Sequence, residues 1–429
     1  MRLNSKWNRR GFLGTVGAIA GSVLSGSIFS GSILATRKLF GSSPTGTAAG
    51  VAVNGFGQSG NPYEELGVTT VINCEGTMTM LGGSLLRPEL EAVMAMAGQH
   101  FVSIPELEVA AGKRIAEMLQ LPEGYTALVT SGAAAAIQSG LAGILTGNDE
   151  ARIRQLPDLT GMKSEVIIQK SHRNPFDHQL RSTGIKLIEI ETRDQLHAAV
   201  NHRTAMMHFT NFANAAGQIK VDEWPKLAKQ FNVPCMNDAA ADTPPASHLW
   251  DYTNMGYDLV TFSGGKAMRG PQCAGLLVGR KDLVANALLN NSPHEDTLGR
   301  SQKVGKEEII GMVKALELYL REDHDALARE WQARLQEVSD EITKISGVRS
   351  TFFTPDIANH VPHMRISWDS KIALTPQQVS QFLRNSKPSI VMSGGEERPE
   401  LAMNSFMLKP GEHKIVAQQL AKILREHSA

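Results

Sequence analysis

The sequence predicts an α/β fold: a large mixed-sheet α/β/α domain with a smaller α+β C-terminal domain. Between about residues 101 and 295, short apolar runs rich in β-branched residues alternate with amphipathic stretches, without long polar insertions. Beyond residue 303 the pattern lengthens into helical repeats, then returns to short strands and single helices. Size agrees: 429 residues, 42% of them hydrophobic, suffice for a sizeable core and two or three domains.

The N-terminal segment stands apart. Arg2, Lys6, Arg9 and Arg10 lie within the first ten residues, and no acidic residue precedes Glu64. After Arg9-Arg10-Gly11-Phe12-Leu13 comes GTVGAIAGSVLSGSIFSGSILA, mildly apolar and diluted by Gly, Ser and Ala. A basic start before such a stretch is the pattern of an export signal, and the arginine pair resembles a bacterial twin-arginine signal. The expectation is transient engagement of the twin-arginine export machinery and a periplasmic location. The alternative is an uncleaved N-terminus that anchors the chain to the inner membrane. The expected divisions are an export signal (1–38), a flexible tether (39–62), an N-terminal arm and helix (63–100), a large domain (101–295), and interdomain helices with the α+β domain (296–429).

The elements follow in order. LGVTTVIN is a strand or an extended arm, and Pro88 opens a helix through PELEAVMAMAGQHFV. A second helix, IPELEVAAGKRIAEMLQL, ends at Pro122-Glu123-Gly124. YTALVT reads as a buried strand, Ser131-Gly132 as a turn, and AAAAIQSGLAGIL as a helix of small residues. Strands SEVIIQK, IKLIEI, AMMHFTN, VPCMND, YDLVTFSGG and AGLLVGR follow, with helices around FDHQLRSTG and VDEWPKLAKQFN between them. Long helices GKEEIIGMVKALELYL and HDALAREWQARLQEVSDEITKI lead to strand HMRISWD and to helices from TPQQVSQFLRN and GEHKIVAQQLAKILREH.

Charge and cysteines exclude several classes. Lys+Arg and Asp+Glu both number 43, so no general nucleic-acid surface is expected. Cys74, Cys235 and Cys273 form neither a disulfide framework nor a spaced metal site, and HExxH, a Walker lysine and Gly-x-Ser-x-Gly are absent.

Four short segments look chemical. Ser263-Gly264-Gly265-Lys266-Ala267-Met268-Arg269-Gly270-Pro271-Gln272 presents a lysine from a glycine turn between two strands. A lysine with lowered pKa and room for a carbonyl carbon is a Schiff-base nucleophile; the plain alternative is an ordinary surface lysine. Asp238 ends an apolar strand 28 residues before Lys266. There it can pair with a protonated ring nitrogen, as a pyridoxal phosphate ring requires, or merely cap a helix. Thr130-Ser131-Gly132-Ala133-Ala134 sits where strand turns to helix, and free amides there make a phosphate cup. His172, beside Arg173 past another strand, offers a flat ring for stacking or an ordinary loop histidine.

Together these residues resemble the fold type I enzymes that depend on pyridoxal 5'-phosphate (PLP). More narrowly they resemble the selenocysteine synthase-like branch that includes D-glucosaminate-6-phosphate ammonia-lyase-like proteins. The resemblance spans roughly residues 64–425. It rests on Ile72-Asn73 through Gly83 with Arg87-Pro88-Glu89, on Ser131-Gly132-Ala133-Ala134, His172-Arg173, Asp238-Ala239-Ala240 and Phe262 to Pro271, and on Gly299-Arg300 with Lys303 to Glu308.

By resemblance, residues 101–295 are the PLP-binding domain, and Lys266 carries the cofactor and shuttles the α-proton. Asp238 holds the pyridine nitrogen protonated, and His172 stacks on the ring. Ser131, Gly132 and Ala133 take the phosphate with Ser263, while Asn211 contacts the ring hydroxyl. Arg365 grips a substrate carboxylate or forms a salt bridge at the domain boundary, and Arg87 and Arg300 are further substrate candidates.

The resemblance also implies a homo-oligomer, at least a dimer, acting on a small-molecule amino substrate. The expected activity is a carbon–nitrogen lyase, by ammonia or β-elimination on an amino acid or amino sugar acid. A racemase or aminotransferase, a selenocysteine synthase-like transferase, and an exported non-catalytic protein of the same fold are the alternatives.

Overall fold

The structure is a computed structural model that describes residues 57, 60–394 and 400–428. The expected export signal and nearly all of the expected tether lie outside the described residues. No helix among the described residues is long and apolar enough to cross a membrane. Residues up to Leu66 form one unit and those from Gly67 onward another. In the first, Asn61 caps the one-turn helix Pro62–Glu65, its side-chain oxygen accepting from the Tyr63 amide at 3.1 Å. All that follows concerns the second.

Its first strand is β1 (Val71–Asn73), followed by helices α1 (Pro88–Gly98) and α2 (Ile104–Met118), each with proline in its first turn. The large sheet is built from β2 (Tyr125–Thr130), β3 (Glu165–Gln169), β4 (Lys186–Ile190), β5 (Thr204–Thr210), β6 (Cys235–Asp238), β7 (Leu259–Ser263) and β8 (Gly275–Arg280). Their spatial order is β2-β8-β7-β6-β5-β3-β4. The run from β7 to β4 is parallel, and only β8 runs against its neighbours. Every residue of β3, β5 and β6 is buried, because helices cover both faces and leave no position for a polar exterior.

On one face lies α3 (Gly132–Thr146), whose Ala, Gly and Leu residues are almost all buried between the sheet and helix Lys281–Leu289. The other face packs α2, Trp224 and Leu227 of α4 (Trp224–Gln230), Tyr252 of α5 (His248–Met255), and α7 (Lys306–Tyr319), with Lys281–Leu289 as α6 between them in the chain. The helix expected around FDHQLRSTG is split. A capping box between Asn174 and Asp177 closes a 3-10 turn, Pro175–Asp177, before the single helical turn His178–Arg181.

The C-terminal sheet is antiparallel, β12-β10-β9, with β9 (Val348–Phe353), β10 (His363–Trp368) and β12 (Leu401–Asn404). Its inner face packs on α8 (His324–Ile342), α9 (Pro376–Arg384) and α10 (Glu412–Glu426). The arm near the N-terminus joins this region: β1 pairs in parallel with β11 (Ser389–Val391), and Ile72 and Cys74 enter the C-terminal core. One apolar turn of sequence thus ties the two ends of the body together.

Candidate active site

Pairing aligns the chemical residues at one end of the large sheet. Thr130, Gly275 and Ser263 share a register level across β2, β8 and β7, and Thr210, Asp238 and Thr261 share one across β5, β6 and β7. Thr130, Thr210, Asp238 and Ser263 are the last residues of their strands, on the side where parallel α/β sheets bind ligands. His172 follows β3 and Asn211 follows β5 at the same edge.

The cup forms where β2 turns into α3. Ser131 is the N-cap but makes no side-chain cap bond, and Gly132 takes a left-handed φ of 81°. Thr130 Oγ1 donates to the Gly132 carbonyl at 3.0 Å, and the Ser131 hydroxyl makes no bond among the described residues. The first amides of a helix have no partner inside it, so Gly132 and Ala133 offer donors to an anion. A Cβ on Gly275 would stand 2.6 Å from the Ala133 nitrogen, so only glycine lets β8 pass this close to the cup.

The lysine turn joins the antiparallel pair β7 and β8. The Gly264 amide donates to the Ala274 carbonyl at 2.9 Å, and those of Gly270 and Arg269 to Gly264 and Lys266 at 2.8 and 2.9 Å. A Cβ on Gly264 would stand 2.2 Å from Met312 Sδ, so the turn is packed against α7 without slack. The Lys266 amine makes no hydrogen bond or ion pair among the described residues. Burial holds its ammonium below the usual lysine range, against the pull of Asp238 and Asp242.

Asp238 is buried at the tip of β6. Both its bonds are made by Oδ1, which accepts from the Ala240 amide at 3.1 Å and from Thr261 Oγ1 at 3.5 Å. Burial pushes this carboxyl up, and the Ala240 amide and Lys266 pull it back only in part.

Asp242, four residues on, was not singled out from the sequence. It is buried with Oδ2 accepting from Asn211 Nδ2 at 2.5 Å and from the Tyr252 hydroxyl at 3.1 Å. Burial raises it to about 7. Its only signal in the sequence was its spacing from Asp238 ahead of Pro244-Pro245, too weak to read without Tyr252 brought over by α5.

The other expected residues separate. Ser263 faces the Asp238 side of β7, with no side-chain bond among the described residues. Asn211 spends its amide nitrogen on Asp242 and Tyr252, and its Oδ1 is buried without a partner. His172 departs from the expectation of an open stacking face. It is 1% exposed, its Nδ1 accepts from the Thr210 amide at 3.2 Å, and its ring meets Phe209 edge-on at 4.5 Å. Burial lowers it to about 4, so it is neutral near pH 7.

Arg87 corrects the expectation of a substrate contact. It is buried, one terminal nitrogen donating to the Met268 carbonyl at 2.7 Å and the other paired with Glu322 at 2.6 Å. It clamps the lysine turn to α7's end rather than reaching out. Arg300 donates to Ser292 Oγ at 3.4 Å from the loop bridged by Asn291 and Gly299. Arg365 lies on the outer face of β10, about half exposed, over the Phe353 ring at 3.9 Å and 3.8 Å from Glu400.

These residues fit PLP. Asp238 has one oxygen free for a protonated ring nitrogen, which would supply the cation its burial lacks. Asn211 has a buried, unpartnered oxygen for a hydroxyl, the cup has donors for a phosphate, and Lys266 has an unengaged amine for an aldehyde. Among the described residues no cluster of His, Cys, Asp and Glu could hold a metal ion.

Comparison with known proteins agrees. The chain is 29% identical over 386 residues to D-glucosaminate-6-phosphate ammonia lyase of Salmonella typhimurium, covering 86% of this chain and 99% of that one. It is 27% identical to a 5'-C-glycyluridine monooxygenase-decarboxylase from Streptomyces, covering 85% and 92%. A solved structure of D-glucosaminate-6-phosphate ammonia-lyase matches with TM-score 0.75 and 27% identity over 86% of this chain and 99% of that one. The fold is therefore fold type I and the cofactor PLP. Residues 71–346 match the family model described as L-seryl-tRNA selenium transferase, and the chain belongs to that family.

Proposed function

We propose that this protein is a PLP-dependent carbon–nitrogen lyase that removes ammonia from an amino acid or amino sugar acid through loss of the α-proton. One observation carries the reading: an unengaged lysine amine, its pKa lowered by burial and within the influence of two buried carboxyls, lies at the same end of the sheet as a phosphate cup. The relatives named as lyases and decarboxylases support it.

When bound, PLP supplies an electron sink for the pair left by the departing proton. The chain's own residues do the rest. Ser131, Gly132 and Ala133 anchor the phosphate, and Asp238 keeps the ring nitrogen charged. Near pH 7 Lys266 gives up its proton more readily than an exposed lysine would, because burial disfavours its charged form. Asp242, held by Asn211 and Tyr252, sets the charge that Lys266 feels. His172, neutral at that pH, is a wall rather than a proton donor. Arg365 is the candidate cation for a substrate carboxylate, stacked on Phe353 and only loosely held by Glu400.

We further propose that the chain works as a homo-oligomer, at least a dimer. The observation is a line of exposed apolar side chains, Met96, Phe101, Val102 and Val109, with Phe101 fully exposed. Export by the twin-arginine route to the periplasm rests on Arg9-Arg10 alone.

The test is a panel of amino acids and amino sugar acids, with and without phosphate, in which ammonia, 2-oxo acid and solvent deuterium uptake are followed together. Ammonia with stoichiometric 2-oxo acid and no added acceptor supports the lyase. Deuterium exchange without net product points to a racemase, and product only with an added 2-oxo acid points to an aminotransferase.

A further inference from the structure

A second cavity lies behind the lysine turn. It has a volume of ≈ 290 Å³, and none of Ser131, Asp238 or Lys266 lines it. Its wall is crowded with charge: Arg87, Arg269, Arg334 and Lys409 against Glu322 and Glu330. Both carboxylates are already spent, Glu322 on Arg87 at 2.6 Å and Glu330 on Arg334. Two cationic side chains, Arg269 and Lys409, therefore line it without an ion pair among the described residues.

Arg269 is placed there at a cost. Its φ is 54°, in the left-handed region that a long side chain seldom occupies. Its Nε donates to the Leu85 carbonyl at 2.9 Å, and its terminal nitrogens make no bond among the described residues. Burial and the neighbouring Arg87 hold its guanidinium below the usual arginine range, and Glu322 and Glu89 offset this only in part.

Two further polar side chains stand in the same wall, Tyr319 and His324. The Tyr319 ring is buried, and its hydroxyl, although near Thr243, has no hydrogen-bond partner of good geometry. His324 Nε2 is likewise buried and unpartnered, with its ring 4.4 Å from that of Tyr319. A buried hydroxyl without an acceptor is costly, so Tyr319 beside unpaired cations marks a place suited to an oxyanion.

We propose that this cavity binds a small oxyanion of the phosphate class, as free phosphate or as the phosphate end of a small metabolite. Positively charged side chains with a hydroxyl donor beside them suit a doubly charged tetrahedral group. The site bears directly on the lysine turn. The Arg269 amide donates to the Lys266 carbonyl at 2.9 Å, and Arg87 holds the Met268 carbonyl. Occupancy therefore reaches Lys266 through the backbone, and the absorption of the bound cofactor changes with it.

The test is calorimetric titration of the full-length holoenzyme, whose cup already holds the cofactor phosphate, with inorganic phosphate, glucose 6-phosphate and citrate in turn. The expected result is one phosphate per chain, with affinity reduced at least ~10-fold in Arg269→Gln and several-fold in Tyr319→Phe. Arg269→Lys retains most of the binding. Glucose 6-phosphate binding as tightly as phosphate assigns the site to a phosphorylated metabolite, and much weaker binding assigns it to free phosphate. Tyr319→Phe removes one oxygen from a side chain that makes no well-formed bond, so it reports on the site even where Arg269→Gln fails to fold. No heat up to about 10 mM phosphate, unchanged affinity in both folded variants, or preference for citrate overturns the proposal.

Discussion

The two sheets bury polar groups on opposite terms. The C-terminal sheet packs Leu, Ile, Val and Met, and keeps its ion pairs, such as Arg425–Glu341 and Lys344–Glu341, at the surface. The large sheet buries Asp238, Asp242, His172, His208, Asn211 and Asn237 near its C-terminal edge, several with atoms that find no partner. Burying such groups is unfavourable, and the large apolar core beneath them carries that burden. The contrast teaches where to strike: substitutions at the sheet's edge should change chemistry, and those in the C-terminal unit should change stability.

The largest effect is expected at Lys266. Lys266→Ala should abolish turnover while leaving the far-ultraviolet circular dichroism unchanged, because its amine contacts nothing structural. Asp238→Ala comes next, with kcat falling on the order of 100-fold or more while some cofactor is retained by the cup. Steady-state kinetics with added PLP separates the two losses.

Asp242 sharpens the comparison by pH. Burial holds it at about 7, and once ionised it raises the Lys266 ammonium. The wild-type rate profile should carry an inflection near pH 7 that Asp242→Asn lacks, and Tyr252→Phe should move it by less.

Glu108 tests stability alone. It is buried, accepts from the Val129 amide at 3.3 Å on the unpaired side of edge strand β2, and is raised by burial to about 8. Below pH 4.5 the carboxyl is protonated in both folded and unfolded chains and costs nothing. Between 4.5 and about 8 the unfolded chain ionises while the folded one keeps its proton, so stability falls as pH rises through that window. Glu108→Gln should remove this slope and gain on the order of 2 kcal/mol at pH 8, measured by thermal denaturation across pH. Arg425→Ala, which breaks only the exposed pair with Glu341, should cost about 0.5 kcal/mol or less in the same assay.

Much of this was legible in the chain. Six of the seven strands of the large sheet lie within the apolar runs that marked them and β5 begins one residue earlier, because strands buried on both faces read as largely apolar stretches. The cup, Asp238 and Lys266 were legible because each sits where a strand ends in small residues. Contacts distant in sequence were not. Nothing near Val71 announces a pairing with Ser389, and nothing near Arg87 shows that Glu322 will claim it. His172 read as a flat ring at a strand end, but its enclosure depends on Phe209 and Thr210, brought beside it only by sheet order. Asp242 stayed hidden because its meaning lies in Asn211 and Tyr252, 31 residues before it and 10 after.

The central claim is that Lys266 carries the cofactor, and borohydride trapping tests it most directly. Purified protein treated with borohydride, digested and mapped by mass should show the reduced cofactor on a single peptide containing Lys266, in stoichiometric yield. Trapping on another lysine, or a colourless protein that takes up no added PLP, would contradict it.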